Sequence, residues 1–423
     1  MDDKRRTSLF PQWRTSRFFR WFWYTKLTSQ GRYVFPVCLL AVMLSGASLA
    51  VPVFQIAALI SAFFLIDLVM GWLLRPRVRI EGRFPRKAVA GQPVHGSYIL
   101  HNQRWLPLFQ AGLGFFKLDR ALRESPEQEY APLLRSRQSA KVIVQLEPLR
   151  RGIYGLPPLR PYSVFPFNLI RSTGKAVGKR ETLLVLPHFH PIEGVDVPLG
   201  SRYQPGGIAL TSHIGESPEY IGNREYRPGD AVRHIDHRAW GRLAKPVVRE
   251  YMEEYYCRIA LVMDTYVQAG KKLPPHGFEN MEAAISISAS IADAISRGEY
   301  IIDIFAAGPE LYVFRTGRHT AHLDNVLEIL ACVEPCRENP FEEIAPALSR
   351  ELGNISAMIC VLLDWDRSRL KLAQSAIEAG CSVKIIVVSD HMDESALAEA
   401  QALADSVVLL SPDAIRKGGL GVI

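Results

Sequence analysis

Residues 217–254, SPEYIGNREYRPGDAVRHIDHRAWGRLAKPVVREYMEE, hold the densest opposite charge in the chain. Arg224, Arg227, Arg233, Arg238, Arg242, Lys245 and Arg249 alternate with Glu225, Asp230, Asp236 and Glu250, with Tyr226 and Trp240 among them. Arginine presents a planar fork that grips carboxylate or phosphate through two N–H bonds. Pro228-Gly229-Asp230 is a turn signal that would aim such forks. Three readings follow. One is a surface that binds an anionic partner. Another is an enzyme that clamps an anionic substrate between these arginines, with Asp230 or Asp236 as base. The third is an internal salt-bridge network that fastens neighbouring domains.

Other residues with chemical capacity stand at strand ends. Asp264 closes the apolar run CRIALVMD (257–264), and Asp364 closes ISAMICVLLD (355–364), with Asp366 just beyond. In an open α/β sheet, ligands bind outside the carboxyl ends of the strands, so both aspartates lie where a site would form. A zinc site could be drawn from His188, His190, His213, His234 and His237, but no cysteine or helix context supports it. Cys332 and Cys336 lack the second pair that a zinc set needs. There is no G-x-S-x-G nucleophile elbow and no phosphate-binding G-x-x-x-x-G-K-[ST] loop. Gly206-Gly207 and Gly418-Gly419 read as turns.

These residues need elements to hold them. Residues 33–74 are apolar apart from Asp67, with a break near Ser45–Ser48 and Pro52. Segments 33–51 and 53–74 each approach the ~20 residues that cross a bilayer, so the reading is a transmembrane helical hairpin. Before it, eight basic residues face two acidic ones in the leader 1–32; after it, residues 75–87 carry six basic against one acidic. Positive residues stay on the cytoplasmic side, which puts both termini and the bulk of the chain in the cytoplasm. The total charge of +7 leaves −3 for residues 91–423. The basicity therefore suits anionic lipid and argues against a nucleic-acid face on the remainder. Trp13, Phe18, Phe19, Trp21, Phe22, Trp23 and Tyr24 interleave with Arg17, Arg20 and Lys26, a composition that lies along a membrane interface or forms a basic tail.

Residues 75–190 carry short, alternating runs with glycine and proline punctuation, which predicts an antiparallel β-sandwich-like domain. Residues 191–256 form the arginine-rich segment. Residues 257–423 alternate buried strand-like runs with helical patterns, which predicts a doubly wound α/β domain. The chain is thus read as multidomain and membrane-anchored.

The run Arg224-Glu225-Tyr226-Arg227-Pro228-Gly229-Asp230, then Arg233-His234-Ile235 and Val248-Arg249-Glu250, with the later CRIALVMD, resembles the signature of the bacterial domain-of-unknown-function family fifty-eight. Its usual tryptophan is replaced here by His237, and its Ser-Ala-Arg run by Ala239-Trp240-Gly241-Arg242. The resemblance implies two membrane helices, a β domain and a von Willebrand factor A-like α/β domain. It also implies a MoxR-type AAA+ ATPase as partner. A working A-type domain binds Mg²⁺ through Asp-x-Ser-x-Ser; here the run is Asp264-Thr265-Tyr266-Val267-Gln268, and both short hydroxyls are gone. Asp264 and Asp364 are what remains of that ligand set, and no cofactor is expected. Asp264 is then read as capping a turn or pairing with an arginine. The expected function is a non-catalytic adaptor or scaffold at the bacterial inner membrane, partnering the ATPase in assembling or remodelling envelope proteins. The alternative is an enzyme using segment 224–250. The expected binding residues are Arg224, Tyr226, Arg227, Gly229, Asp230, Arg233, Asp236, Arg242, Arg249 and Glu250.

Overall fold

The structure is a computed structural model. It describes residues 22–47, 51–125, 129–196, 220–230, 232–251, 257–268, 270, 272–297, 300–307, 311–315, 323–339, 341–404 and 406–423. The leader aromatics Trp13, Phe18, Phe19 and Trp21, with His213 and Gly206-Gly207, lie outside the described residues. The chain divides into two compact units. One comprises Met1–His188 with Leu273–Gly277 and Leu330–Cys332; the other comprises Phe189–Lys272, Phe278–Ile329 and Val333–Ile423.

The first unit opens with two helices, α1 (Ser29–Ala47) and α2 (Val51–Leu73). Thr28 caps α1, its Oγ1 accepting the Gly31 N–H at 3.0 Å. The cap moves the start of α1 four residues ahead of the apolar run, so its first turn is Ser29-Gln30-Gly31-Arg32. Among the described residues, α2 alone is long and apolar enough to cross a membrane. The expectation of two such helices is therefore met by one. Pro52 does not separate the helices but sits in the first turn of α2, where a missing N–H costs nothing.

Asp67 is the informative residue of α2. It is buried, and its carboxylate accepts three backbone N–H groups from one loop: Phe167 at 3.0 Å, Leu169 at 3.2 Å and Ile170 at 2.6 Å. An acidic residue inside an apolar helix thus serves as the socket for a loop of the following β region. The same loop is held by α1. The Thr28 hydroxyl donates to the Asn168 carbonyl, and the Thr28 N–H donates to the Leu169 carbonyl at 3.1 Å. Gly31 permits this approach, because a Cβ there would stand 2.1 Å from the Leu169 oxygen.

The β region of this unit contains β1 (Val78–Arg83), β2 (Lys87–Val89), β3 (Val94–Asn102), β4 (Leu108–Gly114), β5 (Leu122–Glu124), β6 (Ala131–Leu134), β7 (Ser139–Pro148), β8 (Gly152–Leu156), β9 (Arg160–Ser163), β10 (Ser172–Thr173) and β11 (Glu181–Leu186). They form sheets ordered β1-β3-β7-β5, β10-β9-β4-β6 and β2-β11-β8. Pairing is antiparallel except between β2 and β11, which run parallel. In β3 and β7 alternate residues are buried, the period that puts one face on a core. Tyr98, Leu100, Val142, Val144 and Leu146 supply that face.

The second unit holds the hairpin β12 (Tyr220–Glu225) and β13 (Val247–Tyr251), with α3 (His237–Leu243) between them. Its main sheet comprises β14 (Cys257–Met263), β15 (Tyr300–Ala307), β16 (Leu311–Arg315), β17 (Ala357–Leu362), β18 (Ser382–Val388) and β19 (Ser406–Leu410). The order is β16-β15-β14-β17-β18-β19, parallel except for β16. β17 and β18 are almost wholly buried, which explains their unbroken apolar runs. The helices are α4 (Glu279–Ser296), α5 (Leu323–Cys332), α6 (Phe341–Ser349), α7 (Arg367–Glu378), α8 (Glu394–Leu403) and α9 (Pro412–Lys417). The strand order reverses between β14 and β17, and Asp264 and Asp364 follow these two strands.

Candidate functional site

The arginine-rich segment is a hairpin with its charges sorted. Asn223 pairs with Arg249 and Arg224 with Val248 across β12 and β13. The chain then turns at Pro228-Gly229, where Gly229 adopts φ +109, a conformation that side chains resist. The turn closes with the Asp230 N–H donating to the Arg227 carbonyl at 3.0 Å.

Asp230 is gripped on both oxygens. Arg224 Nη1 and Nη2 each donate to it at 2.8 Å, and the Arg227 N–H adds a third bond at 2.7 Å. Arg224 and the Arg227 N–H hold its carboxyl down at about 2. Asp236 is the N-cap of α3. Its Oδ1 accepts the Arg238 and Ala239 N–H groups at 3.0 and 2.9 Å. Its Oδ2 accepts Arg249 Nε at 3.3 Å and Asn223 Nδ2 at 3.4 Å. These bonds, led by the Ala239 N–H, hold it at about 2 as well. A general base for neutral pH needs a pKa near that pH, and each of these carboxylates is spent on holding the hairpin. Glu225 pairs with Lys245 at 3.0 Å.

Other expected residues fall as follows. The Tyr226 N–H donates to the Pro246 carbonyl at 2.9 Å, joining the hairpin ends. Glu250 pairs through its backbone with Gly222. Arg233 Nε bonds the neighbouring His234 ring at 3.2 Å, and His237 stacks on Trp240 at 6.2 Å. These two histidines serve the hairpin, and the described residues hold no cluster of three or more His, Cys, Asp or Glu that could take a metal ion. Among the described side chains, Glu225, Asp230 and Asp236 are each matched to one cation. Arg227, Arg233, Arg238 and Arg242 remain as exposed surplus. Val232, Trp240 and Leu243 are exposed beside them, at 69%, 41% and 60%.

The strand-end centre is the opposite case. Asp264 is buried, and Oδ1 accepts the Tyr266 N–H at 3.0 Å. Oδ2 accepts the Leu363 N–H at 3.1 Å and Arg369 Nε and Nη2 at 2.9 and 2.6 Å. Burial pushes the Asp264 carboxyl above the usual carboxylate range, and the Arg369 guanidinium pulls against that. Arg369 also bonds Asp366, the N-cap of α7, and lies 5.2 Å from the centre of the Phe341 ring. Asp364 is exposed and accepts the Trp365 N–H at 2.8 Å, so it is not drawn to Asp264. A guanidinium thus occupies the cationic position beside Asp264. Tyr266 forms a short bridge with Cys336, and the tyrosine and Gln268 stand where an A-type run has its two serines. Arg369 was legible only as an i+3 partner of Asp366 on a helix; its reach to Asp264 depends on the fold.

Comparison with known proteins adds the following. No curated protein matches the chain. The secreted serine protease VesC from Vibrio cholerae is similar over 29% of this chain at 12% identity and a TM-score of 0.18. The chain spans 25% of that protein, and a likeness of that size carries no argument about fold or activity. The family model described as "Protein of unknown function DUF58" matches residues 222–404, which begin in β12 and end after α8. The hairpin of arginines and the strand-end aspartates lie inside that match, and this region of the chain belongs to the DUF58 family.

Proposed function

We propose that the protein is a non-catalytic, membrane-anchored adaptor whose arginine-rich hairpin docks an acidic partner. One observation carries this reading. Every described acid between Arg224 and Arg249 is matched within the hairpin, and Arg227, Arg233, Arg238 and Arg242 are left over beside exposed Trp240 and Leu243. Exposed arginine and tryptophan beside apolar side chains is the composition of interface anchors.

The anchor is α2, with α1 as a second membrane helix; the basic flanks of the pair put the folded bulk in the cytoplasm of a bacterium, at its inner membrane. The exposed Leu39, Leu40, Met43 and Leu44 of α1 support its insertion. The second unit is a von Willebrand factor A-like domain, supported by a parallel sheet of order β16-β15-β14-β17-β18-β19 with one antiparallel edge. The pairing of Asp264 with Arg369 in its strand-end centre supports a reading without a resident metal. By resemblance, the partner is a MoxR-type AAA+ ATPase, and the work is assembly or remodelling of envelope proteins.

The test is complementation of a clean deletion by Asp230→Asn and Asp236→Asn, with membrane insertion and folding checked. The adaptor reading expects both variants to function wherever they fold. Loss of function in a folded, inserted variant that still retains its partners in detergent would favour the enzyme instead.

A further inference from the structure

Two cavities open side by side at the amino-terminal foot of α1. One, of about 560 Å³, is lined by Arg32, Lys117 and Arg171, with Glu124 as the opposing charge and Ser29 and Gln30 from the first turn of α1. The other, of about 510 Å³, is lined by Lys117, Arg160 and Arg180 and by no carboxylate. They share Thr25, Phe116 and Lys117.

The positive charge here exceeds the negative charge of Glu124, the one described carboxylate lining either cavity. Lys117, Arg160, Arg171 and Arg180 form no ion pair with described residues. The Arg171 Nε is fully buried and has no hydrogen-bond acceptor among them, its guanidinium lying 5.3 Å from the centre of the Tyr162 ring. Glu124 is partly engaged, its Oε1 accepting the Phe115 N–H at 2.8 Å. Lys117 is held at φ +71, a left-handed conformation that a lysine adopts only when its surroundings impose it. Nearby, burial pushes the Lys26 amine below its ordinary range, with Arg75 and Arg160 adding to the effect. A buried donor without an acceptor, among four cations that form no ion pair and face a single carboxylate, calls for an anion with several oxygens.

The surroundings indicate which anion. Gln30 lines the larger cavity. From Gln30, the steps to Tyr33, Val37, Leu40 and Leu44 are three, four, three and four residues, which is one face of a helix. All four are exposed, at 80%, 54%, 58% and 51%. An apolar stripe therefore leads away from the cationic recess along α1. A soluble phosphate would have no use for it, whereas acyl chains would lie along it.

We infer that the paired cavities bind the phosphate-bearing headgroup of an anionic lipid whose chains follow this face of α1. The inference rests on the membrane insertion of α1 and α2 proposed above. The test uses the full chain in phosphatidylcholine nanodiscs with phosphatidylglycerol titrated in, and reads the rate at which an amine reagent acylates Lys117. Phosphatidylglycerol is expected to slow acylation about tenfold, and Arg171→Gln to raise the half-effective lipid fraction about tenfold. Arg160→Gln, at an exposed position, is the second variant and is expected to shift the titration in the same direction. Inorganic phosphate and glycerol 3-phosphate, added to phosphatidylcholine discs, are expected to protect little. Equal protection by either would overturn the lipid source in favour of a free phosphate. No protection by any of them, in protein that resists carbonate extraction, would overturn the site and leave the anchor standing. Extraction by carbonate would overturn both.

Discussion

Asp264 and Asp230 are both paired with arginine, and the contrast between them separates the strand-end centre from the hairpin. At the strand end, Arg369 is 4% exposed and Asp264 is buried, so the pair has left water. On the hairpin, Arg224 keeps 37% of its side chain in solvent, and Arg227, Arg233, Arg238 and Arg242 form no salt bridge among the described residues. The place where an α/β sheet would ordinarily hold a ligand is therefore filled by the chain itself. On the hairpin, by contrast, the described arginines outnumber the acids they pair with. Position in a fold indicates where a site would form; the count of unmatched charges indicates where one remains.

The largest expected effect comes from breaking the buried pair. Arg369→Ala strands the Asp264 carboxylate and is expected to cost about 3–5 kcal/mol, read as a lower denaturation midpoint of the detergent-solubilised chain. Neutralising both members while keeping an acceptor for the Tyr266 and Leu363 N–H groups, Asp264→Asn with Arg369→Met, is expected to recover part of that loss. A double variant as unstable as the single one would mean that Arg369 does more than neutralise Asp264.

Acid should act on the hairpin within a defined window. Asp230 and Asp236 sit at about 2 in the folded chain against 3.8 in the reference state. A depressed carboxyl contributes stability that is present above 3.8 and is lost as pH falls through about 2. Melting followed across that range should fall more steeply in the native chain than in a chain carrying Asp230→Asn and Asp236→Asn. Parallel curves would detach these carboxylates from hairpin stability.

The exposed arginines should behave oppositely. Arg238→Glu with Arg242→Glu is expected to leave the melting midpoint unchanged, since neither side chain is ion-paired among the described residues. Smallest of all is the response to Mg²⁺. A resident ion stabilises by mass action, so a centre already closed by Arg369 should show no shift of midpoint with added Mg²⁺. A shift that grows with Mg²⁺ would reopen that centre as a metal site.

The strands and helices of residues 257–423 were legible because burial on both faces leaves unbroken runs. The reading SVKIIVVS over 382–389 became β18 at 382–388, and the helical pattern near 367–379 became α7 at 367–378. The hairpin β12–β13 was not legible, since its strands carry Asn223, Arg224 and Arg249, whose pairing is long-range. Asp67 was legible as an anomaly but not in its partner, because three backbone N–H groups leave no mark in side-chain composition. The roles of Asp230 and Asp236 were open in the sequence for the same reason: a cap and a base are written with the same letter.

The measurement that tests the account most directly is retention of the AAA+ ATPase in detergent by the native chain and by one carrying Arg227→Glu, Arg238→Glu and Arg242→Glu. The account predicts that the native chain retains the ATPase, more weakly as salt is raised, and that the charge-reversed chain melts as before but loses it. Equal retention by both chains would contradict the claim that this hairpin is the docking surface.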